Sequence, residues 1–340
     1  MEGIIVIDKP VGISSQKVGG CIKRVYREVL GQKIAVGHIG TLDPFASGCL
    51  VLAIGGASKF IPFIDDDNKV YDCVIKLGRT TSTLDPTVKS VKVGKSSRFH
   101  IKSDLLYPSL KIGELLQIPP NFSAIHIDGD RAYKRARRGE EFSISPRKVE
   151  LREVKILSRL RFYINRVSLR IKTSKGFYVR SLARDFANDL GTVGYLKSLR
   201  RLESGRFNLN QSNKKLDKII DFTKKQTKLR KPEKILQEIV RSIIPIENIL
   251  VDIPVIDIEA NKIGLLLQGK RLLCDNVEIK LKELTPHSID RSSIPDLKRD
   301  GSIYRVQVEC GILLLNKTDS YIQLIRYIEI KKEKLCRKKK

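Results

Sequence analysis

One carboxylate stands out by its setting. Asp43 lies in GHIGTLDPFASG (37–48), a run of small and turn-forming residues between two apolar stretches, where a side chain can be presented to a ligand instead of packed. An Asp-Pro pair is also a routine turn, in which the proline pushes the residue before it into extended geometry, so structure and catalysis both remain open for Asp43 alone. A second feature is a charge in the wrong place. Lys175 and Arg180 fall at the start of the helix predicted for residues 177–190, where the macrodipole disfavours cations and unpaired N–H groups seek an anion. That anion could be an RNA phosphate or a carboxylate such as Asp43 from another loop. Arg180 and Arg184, one helical turn apart, could equally form a solvated face.

Other candidates are read the same way. Tyr71 is on the apolar side of an alternating segment and suits a core tyrosine with a satisfied hydroxyl. His38, between two glycines, suits a loop hydrogen bond or a catalytic role. Lys134, Arg135, Arg137 and Arg138 beside Tyr133 suit either a solvated helix face or an RNA contact, and the overall charge favours RNA.

That charge is the outlier of the composition: 65 Lys and Arg against 38 Asp and Glu give +27 over 340 residues. The last ten residues, 331–340, carry +6 of it and leave +21 in the body, so a polyanionic partner is expected and an acidic protein partner is not its cause. Hydrophobic residues, at 41%, suffice for a core. Cys21, Cys49, Cys73, Cys274, Cys310 and Cys336 contain no CxxC pair, and His38, His100, His126 and His287 have no ligand spacing, so neither a disulfide framework nor a zinc site is expected. No GxGxxG follows a strand, no GxxxxGK[ST] loop occurs, and GxSxG and HExxH are absent; no cofactor and no metal are expected. The longest apolar run, 49–64, is broken by Gly55, Gly56, Ser58 and Lys59, which excludes a helical membrane span, and the N-terminus lacks signal-peptide features. A cytoplasmic, reduced monomer is expected.

The elements that must position these residues can be read from pattern. GIIVI (3–7) reads as a buried strand, followed by a helix capped by Ser14 or Ser15, with Val18, Ile22, Val25 and Val29 on one face and Gly31 as its stop. Residues 37–48 read as a loop feeding a strand at 49–54; 70–77, 149–156 and 167–173 read as strands. Residues 117–147 read as an extended segment, a turn at Asp128-Gly129-Asp130 and a short basic helix. Val179, Leu182, Ala183, Phe186 and Leu190 mark one face of a helix ended by Gly191. The composition turns Lys-rich and helical over 213–243, Pro245 and Pro254 flank a boundary, and the short apolar runs IGLLLQGKRLL, YRVQVECGILLL and YIQLIRYIEI suit a small β domain.

Several motifs occur together and in one order over about the first 210 residues: GIIVIDKPVGISS (3–15), GHIGTLDPFASGCL (37–50), KVYDCVIKLGRTTSTLDPT (69–87), QIPPNFSAI (117–125), SKGFYVRSLARDFANDLG (174–191) and LRRLESGRF (199–207). In this the chain resembles the TruB family of tRNA pseudouridine synthases, which convert uridine 55 in the T loop of tRNA to pseudouridine. Ile39 and Thr41 are variations within the family's GHxGxLDP pattern, and the match weakens after residue 210. The resemblance implies an α+β pseudouridine synthase fold, a central mixed, largely antiparallel sheet flanked by helices, with a basic RNA-gripping insertion at about 117–148. It implies a catalytic domain over 1–250, a PUA-like β domain over 251–330 inferred from position and β character, and a basic tail over 331–340. It further implies Asp43 as the essential carboxylate, Arg180 as its ion-pair partner, Tyr71 as the ring that stacks on the target base and His38 as a contact to flipped nucleotides. Tyr178 and Leu202 would enclose the pocket, Lys134, Arg135, Arg137 and Arg138 would grip the T arm, and no cofactor or metal would be needed.

The chemistry agrees with those roles: breaking and remaking a ribose-to-uracil bond needs an ionised carboxylate by the sugar, an Arg keeps it ionised and oriented, and an aromatic offsets the stacking lost by a flipped base. Readings of other kinds are a guide-RNA-dependent rRNA pseudouridine synthase, against which the segment DGDRAYKRARRGEEF (128–142) argues, a non-catalytic RNA-binding protein, against which the trio Asp43, Arg180 and Tyr71 argues, and a ribosomal protein, against which the size of the core argues.

Overall fold

The structure is a computed structural model and describes residues 2–64, 67–89, 91–92, 110–157, 165–219, 231–274, 302–308, 311–318 and 320–329. The basic tail at 331–340 lies outside the described residues.

The chain opens with β1 (Gly3–Lys9), whose seven residues are nearly all buried, and turns into α1 (Ser15–Leu30). Ser14 caps this helix by accepting from the Lys17 amide. Gly31 ends it in the left-handed conformation, its amide bonded to the Arg27 carbonyl. Then come β2 (Val36–Ile39), β3 (Ser47–Ile54), a 3₁₀ segment (Gly55–Phe63), β4 (Lys69–Leu77) and a small antiparallel pair, β5 (Arg79–Thr80) with β6 (Val91–Lys92). After β7 (Gly113–Gln117), a hairpin of β8 (His126–Ile127) and β9 (Asp130–Arg131) turns at Asp128 and Gly129 into α2 (Ala132–Arg137). The strands β10 (Arg147–Ile156) and β11 (Arg166–Thr173) precede α3 (Val179–Asp189), β12 (Gly194–Ser204) and β13 (Phe207–Asn208). Helices α4 (Lys214–Ile219) and α5 (Pro232–Arg241) lead to β14 (Ile244–Pro245).

Ten strands form one mixed sheet, ordered β14-β1-β3-β12-β4-β11-β10-β7, with β2 paired to β3 and β13 to β12. Its described pairings are antiparallel except β3 with β12, which meet only through Arg200 opposite Ser47 and Arg201 opposite Gly48. One face carries Ile5, Ile7, Leu50, Leu52, Tyr71, Cys73, Leu169 and Leu196 against α1, α3 and α5. Alternation dictates this: side chains two apart share a face, and the apolar stripes of the three helices cover it.

The opposite face, at Ile4, Val6, Val51 and Ala53, is covered by Phe60 and Phe63 of the 3₁₀ segment and by Ile303, Ile312, Leu314 and Ile328 of the C-terminal part. That part holds α6 (Ala260–Leu267), β15 (Leu272–Leu273), β16 (Ser302–Val308), β17 (Gly311–Lys317) and β18 (Tyr321–Glu329) in a four-stranded antiparallel sheet, ordered β15-β18-β17-β16. β17 is buried on both faces, Ile312 and Leu314 towards the large sheet, Leu313 and Leu315 towards Leu266 of α6. The α+β class and the small C-terminal β unit agree with the sequence reading. Among the described residues, no helix is long and apolar enough to cross a membrane.

Three elements differ from expectation. Residues 36–39 form a strand and not a loop, because Ile39 packs beneath the sheet and pairs with Val51 while His38 pairs with Leu52. The IGLLL run is in helix α6, where Leu266 at one spacing reaches the core and Leu265 and Leu267 do not. The helix read from Phe177 begins at Val179, Tyr178 standing at its cap position in extended geometry.

The narrow β3–β12 junction depends on Gly48. Its φ is +106°, and a Cβ there would lie 2.1 Å from the Arg201 carbonyl oxygen and 2.8 Å from the Arg201 amide nitrogen. Gly48→Ala is expected to destabilise by about 2–4 kcal/mol, the range of a strained backbone plus a steric clash. Thermal unfolding checks it: the melting temperature should drop by several degrees, whereas Gly31→Ala, with open space around it, should be milder.

Candidate active site

Asp43 is in the seven-residue loop 40–46 between β2 and β3, and this loop is pinned from four sides. Arg201, fully buried, donates from Nε to the Cys49 carbonyl (2.7 Å) and from Nη2 to the Gly40 carbonyl (3.0 Å), which ties the strand after the loop to the loop's first residue. Ser15 Oγ accepts from the Leu42 amide (2.9 Å) and donates to the Leu42 carbonyl (3.0 Å). The Gly12 amide donates to the Pro44 carbonyl (2.7 Å), and the Ala46 amide closes a turn onto the Asp43 carbonyl (3.1 Å). Lys9 Nζ donates to the carbonyls of Pro10 and Ile13, both at 2.8 Å, and reaches that of Pro44 at 3.5 Å. Every backbone group so held is one that a mobile loop would leave to water.

The anion expected at the start of α3 is the Asp43 carboxylate. Arg180 is 4% exposed and meets Asp43 as a fork, Nε to Oδ2 at 2.9 Å and Nη2 to Oδ1 at 3.2 Å. Its remaining donors are also placed: Nη1 to the Thr83 carbonyl (3.1 Å) and Nη2 to the Phe122 carbonyl (3.0 Å), with Asp85 Oδ2 3.7 Å from Nη1. A guanidinium fixed at this many points holds the carboxylate in one orientation. Arg184, offered by the sequence as a companion on a solvated face, instead bonds Asp185 and the Ile118 carbonyl.

Two opposing effects set the charge of Asp43. Burial pushes its carboxyl above the ordinary value of 3.8, the Arg180 charge pulls it back down, Asp85 raises it and Lys9 lowers it. A third of the Asp43 side chain remains exposed, so one side of the ion pair faces outward. Burial also lowers Lys9, to about 8, with Asp43 opposing that shift. Burial keeps His38 below its ordinary 6.5, aided by the Arg201 and Arg131 charges, so its ring is neutral at pH 7. Its Nδ1 is buried without a hydrogen-bond partner among the described residues.

Tyr71, on β4, is in the same apolar cluster as Leu42, Phe45, Phe177 and Val179, beneath the loop and the start of α3. Leu202 is half-buried at a bulge of β12, on the rungs where Arg201 opposes Tyr71 and Glu203 opposes Val70. The Tyr178 amide donates to Gln117 Oε1 (2.7 Å), and burial raises the Tyr178 hydroxyl pKa. The segment 117–125 is thereby clamped to α3, as Ser181 Oγ also donates to the Ile118 carbonyl (2.8 Å). On α2 the basic residues divide. Arg135 pairs with Asp128 and Glu140, and Arg138 with Asp130 and Glu140, all on the surface, while Arg137 lies 5.6 Å over the Tyr133 ring. Lys134 is in the last turn of the same helix.

Sequence reasoning missed Asp85, Lys9 and Arg201. Asp85 is 5% exposed, and its Oδ1 accepts from Thr83 Oγ1 (2.7 Å), the Thr87 amide (3.0 Å) and the Thr87 hydroxyl, while Thr81 brackets its backbone. A signal existed: the tetrapeptide TLDP occurs twice, at 41–44 and 83–86, and both aspartates converge on Arg180. For Lys9 and Arg201 no pattern distinguishes a fully buried cation that donates to carbonyls from a surface one. Among the described residues no cluster of His, Cys, Asp and Glu could hold a metal ion.

Comparison with known proteins gives the chain a family. The model of the family described as "TruB family pseudouridylate synthase (N terminal domain)" matches residues 27–179, which include Asp43 and Tyr71 and stop one residue short of Arg180. The chain is 41% identical over 214 residues to tRNA pseudouridine synthase B of Dinoroseobacter shibae, covering 62% of this chain and 67% of that one. It is 37% identical over 291 residues to the protein of the same name from Caulobacter sp. strain K31, covering 84% and 86%. Among solved structures, a Cbf5-Nop10-Gar1 complex contains a chain that superposes with a TM-score of 0.61 at 20% identity, over 96% of this chain and 84% of that one, a likeness of fold. With a long relative matched over most of both chains and the Asp43 loop inside the family's own segment, the chain belongs to the TruB family of pseudouridylate synthases.

Proposed function

We propose that this protein isomerises uridine to pseudouridine in tRNA, at position 55 of the T loop, and that Asp43 is its catalytic residue. The observation that carries the reading is the Asp43–Arg180 fork: one carboxylate held by a buried guanidinium over an apolar cluster, with one side left open. The named relatives support tRNA as the substrate, and their identity of about 40% favours it over a guide-RNA-dependent reading that rests on likeness of fold alone.

In the reaction the C1′–N1 bond of uridine breaks, the uracil turns within the pocket, a C1′–C5 bond forms, and C5 loses a proton as N1 gains one. Asp43 serves as nucleophile at C1′ or as base at C2′, and either route uses the same oxygen pair. Arg180 holds Asp43 charged and aimed. Tyr71 stacks on the flipped base, Tyr178 and Leu202 close the pocket around it, and neutral His38 contacts neighbouring nucleotides. Lys134, Arg135, Arg137 and Arg138 contact the T arm, Arg135 and Arg138 by exchanging their surface carboxylates for phosphates. Within the chain we assign residues 1–250 to catalysis with a gripping insertion at 117–148, residues 251–330 to a PUA-like RNA-binding domain and 331–340 to a basic tail. The protein works as a cytoplasmic monomer on a tRNA partner, without cofactor.

Asp43→Asn is expected to leave tRNA binding near normal and to reduce turnover by more than the ~10²–10⁴-fold typical of one acid–base group, because an amide can neither attack nor abstract. Tritium release from 5-tritiated uridine in a T-arm hairpin measures it; release near the wild-type rate would end the assignment.

Arg180→Lys should lower kcat by about 10²-fold or more, since a point ammonium cannot reproduce a fork. If it turns over normally while Arg180→Ala only weakens salt-sensitive binding, Arg180 is a phosphate contact.

The acidic side of the pH profile tests the electrostatics. Arg180 lowers the Asp43 pKa against burial, and the active form is the carboxylate, so activity falls as pH drops through that value. In Arg180→Gln the fall should therefore begin at a higher pH than in the wild type. A profile that stays in place, measured by single-turnover rates, would mean that Arg180 does not govern the charge of Asp43.

A further inference from the structure

The large sheet has a polar, open region on the face opposite Tyr71, across β10, β11, β4 and β12. Near the middle of β4 its charges alternate in the ordinary way. Asp72 receives two bonds from Arg170 on β11, at 2.7 and 2.8 Å, and Lys172 pairs with Glu153 on β10 at 2.9 Å. Two rungs further along the same two strands the pattern inverts. Arg166 of β11 is directly opposite Lys76 of β4; on the other side Tyr195 of β12 faces Lys76, and Lys197 follows two residues on, in the bulge between Leu196 and Ser198. The charges that bear on Lys76 are Arg166, Lys197 and Arg79, all positive. Among the described residues no carboxylate pairs with Lys76, Arg166 or Lys197.

Like charges directly opposite across strands destabilise a sheet, where opposite charges would contribute stability. The same two strands have the stabilising arrangement at Asp72 and Arg170, so the opposed cations at Lys76 and Arg166 are not forced by the strands themselves. Arg166 and Lys76 are one strand separation apart, ~4.8 Å, and Lys197 stands diagonally beyond on the third strand, a cluster on the scale of a nucleic-acid backbone. Lys76 is five residues along β4 from Tyr71, about 17 Å, and on the other face of the sheet. It is outside the reach of a base held over Asp43.

We propose that Lys76, Arg166 and Lys197 form a second phosphate-binding surface, which docks the backbone of the tRNA outside its T arm. The inference rests on the tRNA reading above, and extends it to a part of the substrate that the active site does not touch. Its contribution is to affinity and encounter, through counterion release, and not to the chemical step.

The test compares two RNAs on the full chain: whole tRNA and an isolated T-arm hairpin. For the triple variant Lys76→Gln, Arg166→Gln and Lys197→Gln, the salt slope of whole-tRNA binding should become shallower by about 2–3, and affinity should weaken about tenfold at ordinary salt. Hairpin binding and the single-turnover rate at saturating enzyme should be unchanged. Lys76→Glu keeps the test free of folding failure, because it replaces repulsion by attraction towards Arg166 and Lys197: its melting temperature should hold or rise while whole-tRNA binding weakens. Whole-tRNA binding and slope unchanged in both variants would overturn the proposal, and equal weakening for tRNA and hairpin would do the same by placing the contact within the T arm. A hairpin converted normally in every variant leaves the catalytic reading standing whichever way the surface is decided. A wild-type protein that converts neither RNA would fail that reading first.

Discussion

The structure turns on keeping one carboxylate charged where burial opposes charge. Asp43 sits over an apolar cluster that includes Leu42, Phe45 and Tyr71, and such surroundings drive a carboxyl towards its neutral form. The opposing influence is one guanidinium, itself 4% exposed, whose burial would be unfavourable without the carboxylate and the two carbonyls it meets. Each ion makes the other tolerable. The result is a carboxyl whose pKa burial raises and whose charged form Arg180 favours, with a third of its side chain open to solvent.

Holding that pair in register requires a frame, and the frame is built mainly from donors to backbone carbonyls. Arg201, Lys9 and Ser15 each spend their hydrogen bonds on the 40–49 segment or its approach, and Gln117 and Ser181 fasten the 117–125 segment to α3. Cations that bind carbonyls leave no carboxylate to compete with Asp43 for Arg180. The exception, Asp85, is restrained by three hydroxyl or amide donors from the threonines around it, and stands farther from Arg180 than Asp43 does.

Much of this was legible in the residues. The Ser14 cap and Gly31 stop, the alternation of 69–77 and the Asp128-Gly129 turn each encode their element locally, and the structure follows them. The misplaced cation at Arg180 pointed to an anion, though not to which one. What was illegible depends on tertiary position. The strand at 36–39 exists because β3 offers it an edge, so its Gly-rich sequence reads as loop without that partner. The IGLLL run has helical and strand periods in one short stretch, and only packing of Leu266 against the small sheet selects helix. Lys9 and Arg201 look like any surface cation until their carbonyl partners are assembled from two loops and a strand.

The cluster that joins Ile4 and Val6 to Ile312, Leu314 and Ile328 has a consequence for how the chain comes to be folded. Part of what covers the second face of β1, Ile312, Leu314 and Ile328, is separated from it by more than 300 positions. At ~5–20 residues per second, roughly 15–65 s pass between the synthesis of the two, a long interval beside the microseconds to seconds in which small domains fold. Throughout it the apolar surface at Ile4, Val6, Val51 and Ala53 is shielded only in part, by Phe60, Phe63, Phe207 and the apolar residues of 246–253. Until β17 and β18 arrive, that part of the sheet is the stretch of nascent chain most in need of shielding.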